Sequence, residues 1–317
     1  MTPFARQVLA RAALAALAAV LLASGCASLE EKEREWTFRV VKEDAGWYSG
    51  MPAGVTDVYL PVSDAPGAQK IHAWWWPAAD PAAPAVFYLH GVRWNLTGHV
   101  RRMEQLRDFG FSVFAIDYRG FGKSDGDLPS EQMTYEDAAA GWAWFAKKVP
   151  QAQQRFLYGH SLGGAVAIDL ASRLANHPAG TPAQLRGLIV ESTFTSLPDI
   201  AAELTWSWLP TRLLMAQRYD SIDKIRTIDV PVLFVHGTGD HYVPPKFAQA
   251  LYDAAPPPKR LLLIANGSHN NSMWTGVQEY RAAVADFFAL AGGVRHVSEA
   301  PPPAGGMFAL TRGSQRP

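Results

Sequence analysis

The stretch Arg155–Ala175, RFLYGHSLGGAVAIDLASRLA, joins three local signals in one run. Phe156, Leu157 and Tyr158 are a short apolar segment of strand character, Gly159-His160-Ser161-Leu162-Gly163 is a sharp turn, and from Gly164 onward Val166, Leu170 and Leu174 recur at helical spacing. A serine hydroxyl is a poor nucleophile. To react it must stand clear of the sheet, reach a base and leave neighbouring backbone N–H groups free to receive an oxyanion. A G-x-S-x-G turn between a strand and a helix meets these needs, because the flanking glycines remove the Cβ atoms that would crowd it. The pentapeptide gains its meaning from that context, and from an acid and a histidine that should follow downstream.

Outward from the elbow, short apolar runs alternate with helical periodicity. Strands are expected at Val86–Leu89, Ser112–Asp117, Arg155–Tyr158, Leu188–Glu191, Val230–Val235 and Arg260–Ile264. Helices are expected near Val100–Phe109, Tyr135–Lys148, Gly163–Ala175, Pro245–Ala254 and Met273–Leu290, with Thr134 and Asp137 as a capping box for the second. Before them, Asp57–Val62 and Lys70–Trp76 flank the turn former Asp64-Ala65-Pro66-Gly67 and suggest an antiparallel pair. This order implies an α/β fold with a mostly parallel central sheet covered by helices on both faces.

Three further loops complete a candidate site. Val86–Leu89 runs into His90-Gly91-Val92, which places the N–H of Val92 at the top of the sheet; with the N–H of Leu162 it is the candidate oxyanion hole. Asp240 follows the apolar run Val232–His236 and is the candidate acid, while His269 follows Leu261–Ile264 and is the candidate base. Ser161, Asp240 and His269 thus occur in the chain order of a nucleophile, acid and base, each just after a strand. His241 beside Asp240 is a rival base and Glu191 a rival acid. His160 and His236 read as structural. No Cys/His or HExxH spacing implies a metal, and Gly120-Phe121-Gly122-Lys123-Ser124 lacks the spacing of a phosphate loop, so no cofactor is expected.

These motifs, His90-Gly91, Asp117–Ser124, Gly159–Gly164, Glu191-Ser192-Thr193-Phe194 and His236–Asp240, resemble the alpha/beta-hydrolase superfamily, and within it the small-lid branch of serine-aminopeptidase-like proteins. The resemblance spans about Val55–Leu290. It implies a serine hydrolase using Ser161, His269 and Asp240 on a small-molecule acyl ester or thioester, with a lid inserted over about residues 193–229. It leaves open a peptidase or amidase, which would need an acidic group near the site to hold a free amine; the lid offers Asp199, Glu203, Asp220 and Asp223, which do not decide the point. It also leaves open a tethered binding protein that keeps the fold without turnover. Leu204–Pro210 and Leu213–Met215 in the lid read either as an acyl-binding surface or as the buried side of two helices.

The chain ends have a different character. Residues 1–25 carry Arg6 and Arg11 ahead of an uncharged Ala/Leu/Val run, and Leu22-Ala23-Ser24-Gly25-Cys26 resembles the lipobox of a bacterial lipoprotein signal. Cys26 is the one cysteine of the 317 residues, so no internal disulfide is available and lipidation accounts for it. An uncleaved anchor or plain secretion are the alternatives. The expectation is an exported protein held to the envelope membrane, at the periplasmic face of the outer membrane in a Gram-negative host. Residues 26–48 read as a solvated tether, 49–292 as the hydrolase domain and 293–317 as a disordered Pro/Gly-rich tail. Basic and acidic residues balance at 29 each, which gives no reason to expect a nucleic-acid partner.

Overall fold

The computed structural model describes residues 28–175, 184–205 and 210–290. The leader with Cys26, the lid residues Trp206–Leu209 and the Pro/Gly-rich tail lie outside the described residues.

Eight strands form one sheet: β1 Thr56–Pro61, β2 Lys70–Trp76, β3 Ala85–Leu89, β4 Ser112–Ile116, β5 Arg155–His160, β6 Gly187–Glu191, β7 Val232–Gly237 and β8 Lys259–Ile264, in the spatial order β1-β2-β4-β3-β5-β6-β7-β8. β1 pairs antiparallel with β2 and β2 with β4, and every later pairing is parallel. The helices are α1 (28–37), α2 Val100–Asp108, α3 Glu131–Lys148, α4 Leu162–Ala175, α5 Leu197–Leu204, α6 Thr211–Leu214, α7 Ser221–Lys224, α8 Lys246–Ala254, α9 Ser272–Thr275 and α10 Val277–Phe287.

Successive strand residues point to opposite faces, and here both faces are buried. Phe87, Leu89, Leu157 and Val190 pack with residues of α3 and α4 on one side, whereas Val86, Tyr88, Tyr158 and Ile189 pack with α2 and α10 on the other. That double burial is why the central strands read as unbroken apolar runs. The register sets Leu89 beside Gly159 and His160 beside Glu191, so the C-terminal ends of β3, β5 and β6 open side by side where a ligand can reach backbone N–H groups.

Several expected boundaries are corrected. α3 starts at Glu131, not after Thr134, because the Ser130 hydroxyl accepts the Met133 N–H at 3.2 Å. Asp137 is not a cap: it turns inward onto Arg119 at 2.6 Å. The single helix expected over Met273–Leu290 breaks at Gly276, where a Cβ would lie 2.6 Å from Ile264. β7 runs two residues later than expected, through Gly237.

The tether reading of 26–48 is also corrected over its described part. The carboxylate of Glu33 accepts the N–H groups of Ala216 and Gln217 at 2.7 and 2.8 Å, and Arg34 donates to the carbonyls of Leu128 and Pro129. Phe38 is buried, and Arg39 forms a parallel bridge with Arg93. Charged residues made this segment look solvated, but two of its charges serve as fixed hydrogen-bonding groups. Among the described residues, no helix is long and apolar enough to cross a membrane.

Candidate active site

Ser161 sits between β5 and α4 with φ +57°, a left-handed conformation that costs a non-glycine residue about 1–3 kcal/mol. Its surroundings enforce it. The Ser161 N–H donates to the Glu191 carbonyl at 2.9 Å, and its own carbonyl accepts from Gly164 N–H (2.8 Å) and the Thr193 hydroxyl (2.7 Å). A Cβ on Gly159 would stand 2.2 Å from the Gly163 carbonyl oxygen, and one on Gly163 would stand 2.1 Å from that of Leu89. The turn therefore has room for glycine alone at both places.

The loops after β7 and β8 bring the acid and the base to this serine. Ser161 Oγ lies 3.0 Å from His269 Nε2, and His269 Nδ1 lies 2.8 Å from Asp240 Oδ2. The other oxygen of Asp240 accepts the N–H groups of Tyr242 and Val243, each at 2.9 Å. Burial pushes the Asp240 carboxyl up, but hydrogen bonds from His236, His269 and the Val243 N–H outweigh it and hold the carboxyl well below the usual range. A carboxylate fixed in this state orients the imidazole and favours its protonated form without taking the proton.

The loop after β3 supplies the opposite wall. A Cβ on Gly91 would lie 3.1 Å from Ser161 Cβ, so the residue just before Val92 packs against the nucleophile. Leu162 opens α4, where a first-turn N–H has no intrahelical acceptor. Both N–H groups thus belong to segments that meet at the nucleophile. The loop is pinned from below: Asp117 accepts the Leu96 N–H at 2.8 Å, and the His90 ring nitrogen Nδ1 donates to the Gly91 carbonyl at 2.7 Å.

The rivals go elsewhere. Glu191 is fully buried in an ion pair with Arg102 (2.7 Å) and also accepts the hydroxyls of Tyr158 and Tyr280. His241 is exposed. His236, read as structural, stays beside the acid: its Nε2 donates to the Val243 carbonyl at 2.7 Å and lies 3.3 Å from Asp240 Oδ2. His160 donates from Nε2 to the carbonyl of His269 at 2.8 Å. Among the described residues no group of His, Cys, Asp and Glu gathers as a metal site.

The family described as serine aminopeptidase, S33, matches residues 80–221. The Mycobacterium tuberculosis protein Rv2307c is 33% identical over 225 residues, 70% of this chain and 75% of that one. The chain belongs to this family of alpha/beta hydrolases. The lysophosphatidylserine lipase ABHD12 of Danio rerio is 31% identical over 202 residues, covering 59% of this hydrolase and about half of the lipase. Among solved structures, the Pyrococcus furiosus esterase Pf2001 superposes with a TM-score of 0.62 at 20% identity, covering 80% of this chain and 98% of that one, which is a likeness of fold.

One part of this hydrolase's site carried no sequence motif. Arg102 and Gln105, three apart on α2, reach under the His269 loop: Arg102 donates to the Asn270 carbonyl at 3.4 Å and Gln105 to that of Met273 at 2.6 Å. Two polar residues on the buried stripe of a helix are the one trace they leave in the sequence.

Proposed function

We propose that this hydrolase cleaves carboxylic ester or thioester bonds through an acyl-enzyme on Ser161. The observation that carries the reading is the hydrogen-bonded series from Ser161 Oγ through His269 to Asp240. Ser161 Oγ attacks the carbonyl carbon while its proton passes to His269 Nε2, and Asp240 stabilises the imidazolium that forms. The developing oxyanion accepts from the N–H groups of Val92 and Leu162. Each such donor contributes about 2.7–4 kcal/mol of transition-state stabilisation. The tetrahedral adduct expels an alkoxide or thiolate, to which His269 returns the proton. Water, deprotonated by His269, then attacks the acyl-serine and releases the acid.

The lid supports substrates with an apolar acyl part. Leu197 and Ile200 are buried, as in any packed helix, while Leu204 and Leu213 are exposed, Leu213 to 83%. The name of the Danio rerio relative makes lipid esters a class to include. A peptidase reading draws on the family's description, but Asp199, Glu203 and Asp220 are each ion-paired, with Arg212, Lys246 and Arg218. A panel of esters and thioesters of rising chain length, run beside aminoacyl amides, tests the choice. Ester or thioester turnover that disappears in Ser161→Ala is expected; amide turnover exceeding ester turnover transfers the reading to a peptidase.

The leader adds a location to this proposal. Lipidation of Cys26 after export would hold the domain to the envelope membrane, at the periplasmic face of the outer membrane in a Gram-negative host. Cys26→Ser is then expected to move the protein into the soluble fraction; unchanged membrane partition contradicts the anchor.

A further inference from the structure

The charges around the site are not balanced in the same way on its two sides. On the lid, Asp199, Glu203 and Asp220 are neutralised by Arg212, Lys246 and Arg218. On the loop after β3, Arg93 follows Val92 directly, is exposed, and has no ion-pair partner among the described residues. Its guanidinium lies 6.0 Å from the centre of the Tyr242 ring, and that ring lies 5.8 Å from the imidazole of His269. Arg93 therefore reaches from the loop of the candidate oxyanion hole to the loop of the acid, across the rim of the reacting groups.

A second cation stands beside it. Arg39 is bridged to Arg93 through the backbone, its N–H donating to the Val92 carbonyl at 3.1 Å, and its exposed side chain also has no ion-pair partner among the described residues. Glu43 and Asp44 lie further along the same segment, and neither is in ion-pair contact with either arginine. The loop holding the pair is braced: the Arg93 carbonyl accepts from His99 Nε2 at 3.0 Å, and the Trp94 ring packs edge-on against Trp47 at 4.7 Å. The backbone that carries the two guanidinium groups is fixed, so an arriving anion need order only the side chains, and their forked donors match carboxylate and phosphate oxygens.

We propose that Arg93 and Arg39 form a subsite for an anionic group, a phosphate or a carboxylate, carried on the same molecule as the carbonyl that Ser161 attacks. This rests on the hydrolase reading above and narrows it to anionic esters. The same electrostatics disfavour a substrate with a free amine, since the cations at the rim are open and three of the four lid acids are occupied.

The test compares matched pairs at low ionic strength. Butyrylglycerol phosphate against monobutyrin places the charge on the alcohol, and the mono-p-nitrophenyl ester of glutaric acid against p-nitrophenyl butyrate places it on the acyl part. For at least one pair the wild type is expected to favour the anionic ester in kcat/KM by about tenfold or more, through KM, with the preference shrinking as salt is raised. In Arg93→Gln that ratio falls toward one, in Arg39→Gln it falls part of the way, and Arg93→Lys retains some of it. Equal turnover of both members of each pair by the wild type, or an Arg93→Gln loss equal for charged and neutral esters, overturns the proposal. Binding of glycerol 3-phosphate and of glutarate to Ser161→Ala, followed by calorimetry, gives a readout that needs no turnover: binding of either that is lost on adding Arg93→Gln supports the subsite, and binding of neither, or binding unchanged by Arg93→Gln, overturns it. Hydrolysis that survives in Ser161→Ala would instead overturn the acyl-enzyme on Ser161 on which the proposal rests.

Discussion

The site has a rear and a front built on opposite rules. Behind the reacting groups, Asp240, Glu191, Arg102 and His160 are buried, and each is committed to a named partner. Glu191 links two loops at once: its backbone carbonyl takes the Ser161 N–H, while its side chain holds Arg102, which reaches the His269 loop. At the front, Arg39, Arg93 and Tyr242 are exposed and make few polar contacts. The rear fixes geometry at the expense of buried polar groups that must stay paired. The front leaves its charges open for something that arrives. Changes at the rear should therefore cost chemistry or stability, and changes at the front should alter substrate choice alone.

The largest expected effect is at the acid. Asp240→Asn keeps the shape but reverses the donor–acceptor logic toward His269, and kcat is expected to fall by about 10⁴ with the folded state retained, as checked by steady-state kinetics and circular dichroism. Glu191→Gln comes next. It leaves the buried Arg102 without its counter-charge, and about 3–5 kcal/mol of stability is expected to be lost in a denaturant titration. A loss below 1 kcal/mol would break the contrast, since it would place Glu191 energetically with the rim.

A smaller effect follows from pH. Burial holds His90, His99 and His160 below the ordinary histidine value, so the folded chain keeps these rings neutral while the unfolded chain takes up protons below about 6.5. Stability is thus present above that value and lost as the pH falls. Asp137, pushed up to about 6 by burial, and Glu104, also pushed up by partial desolvation, act in the opposite direction above their ordinary values, two carboxyls against three histidines. Tm is expected to be lower at pH 5.5 than at pH 7.5. The smallest effect belongs to the front: Tyr242→Ala should change stability by no more than about 0.5 kcal/mol. A larger loss would show that the rim also supports the fold.

The same division explains what could be read from the sequence. The central strands were legible because both of their faces are buried, which leaves apolar runs such as Val86–Leu89 and Val232–His236 bounded by turn formers. The convergence of Ser161, Asp240 and His269 followed from their order, each just beyond a parallel strand. The bracing of the site was not legible. Arg102 meets Glu191 across 89 positions of chain, and nothing local to either residue announces the other. Residues 28–39 look like a solvated tether for a related reason: the groups that Glu33, Arg34 and Arg39 meet lie far along the chain. The start of α3 is ambiguous in sequence because two hydroxyl residues, Ser130 and Thr134, are both suited to cap it, and Ser130 does.

The central claim is that His269 and Asp240 activate Ser161 as a nucleophile, and covalent labelling by a fluorophosphonate probe tests it most directly. The wild type should lose its label completely in Ser161→Ala and react far more slowly in His269→Ala and Asp240→Asn, with the adduct mapped to Ser161 by peptide mass spectrometry. A folded wild type that takes no label, or a label that persists in Ser161→Ala, would contradict the account.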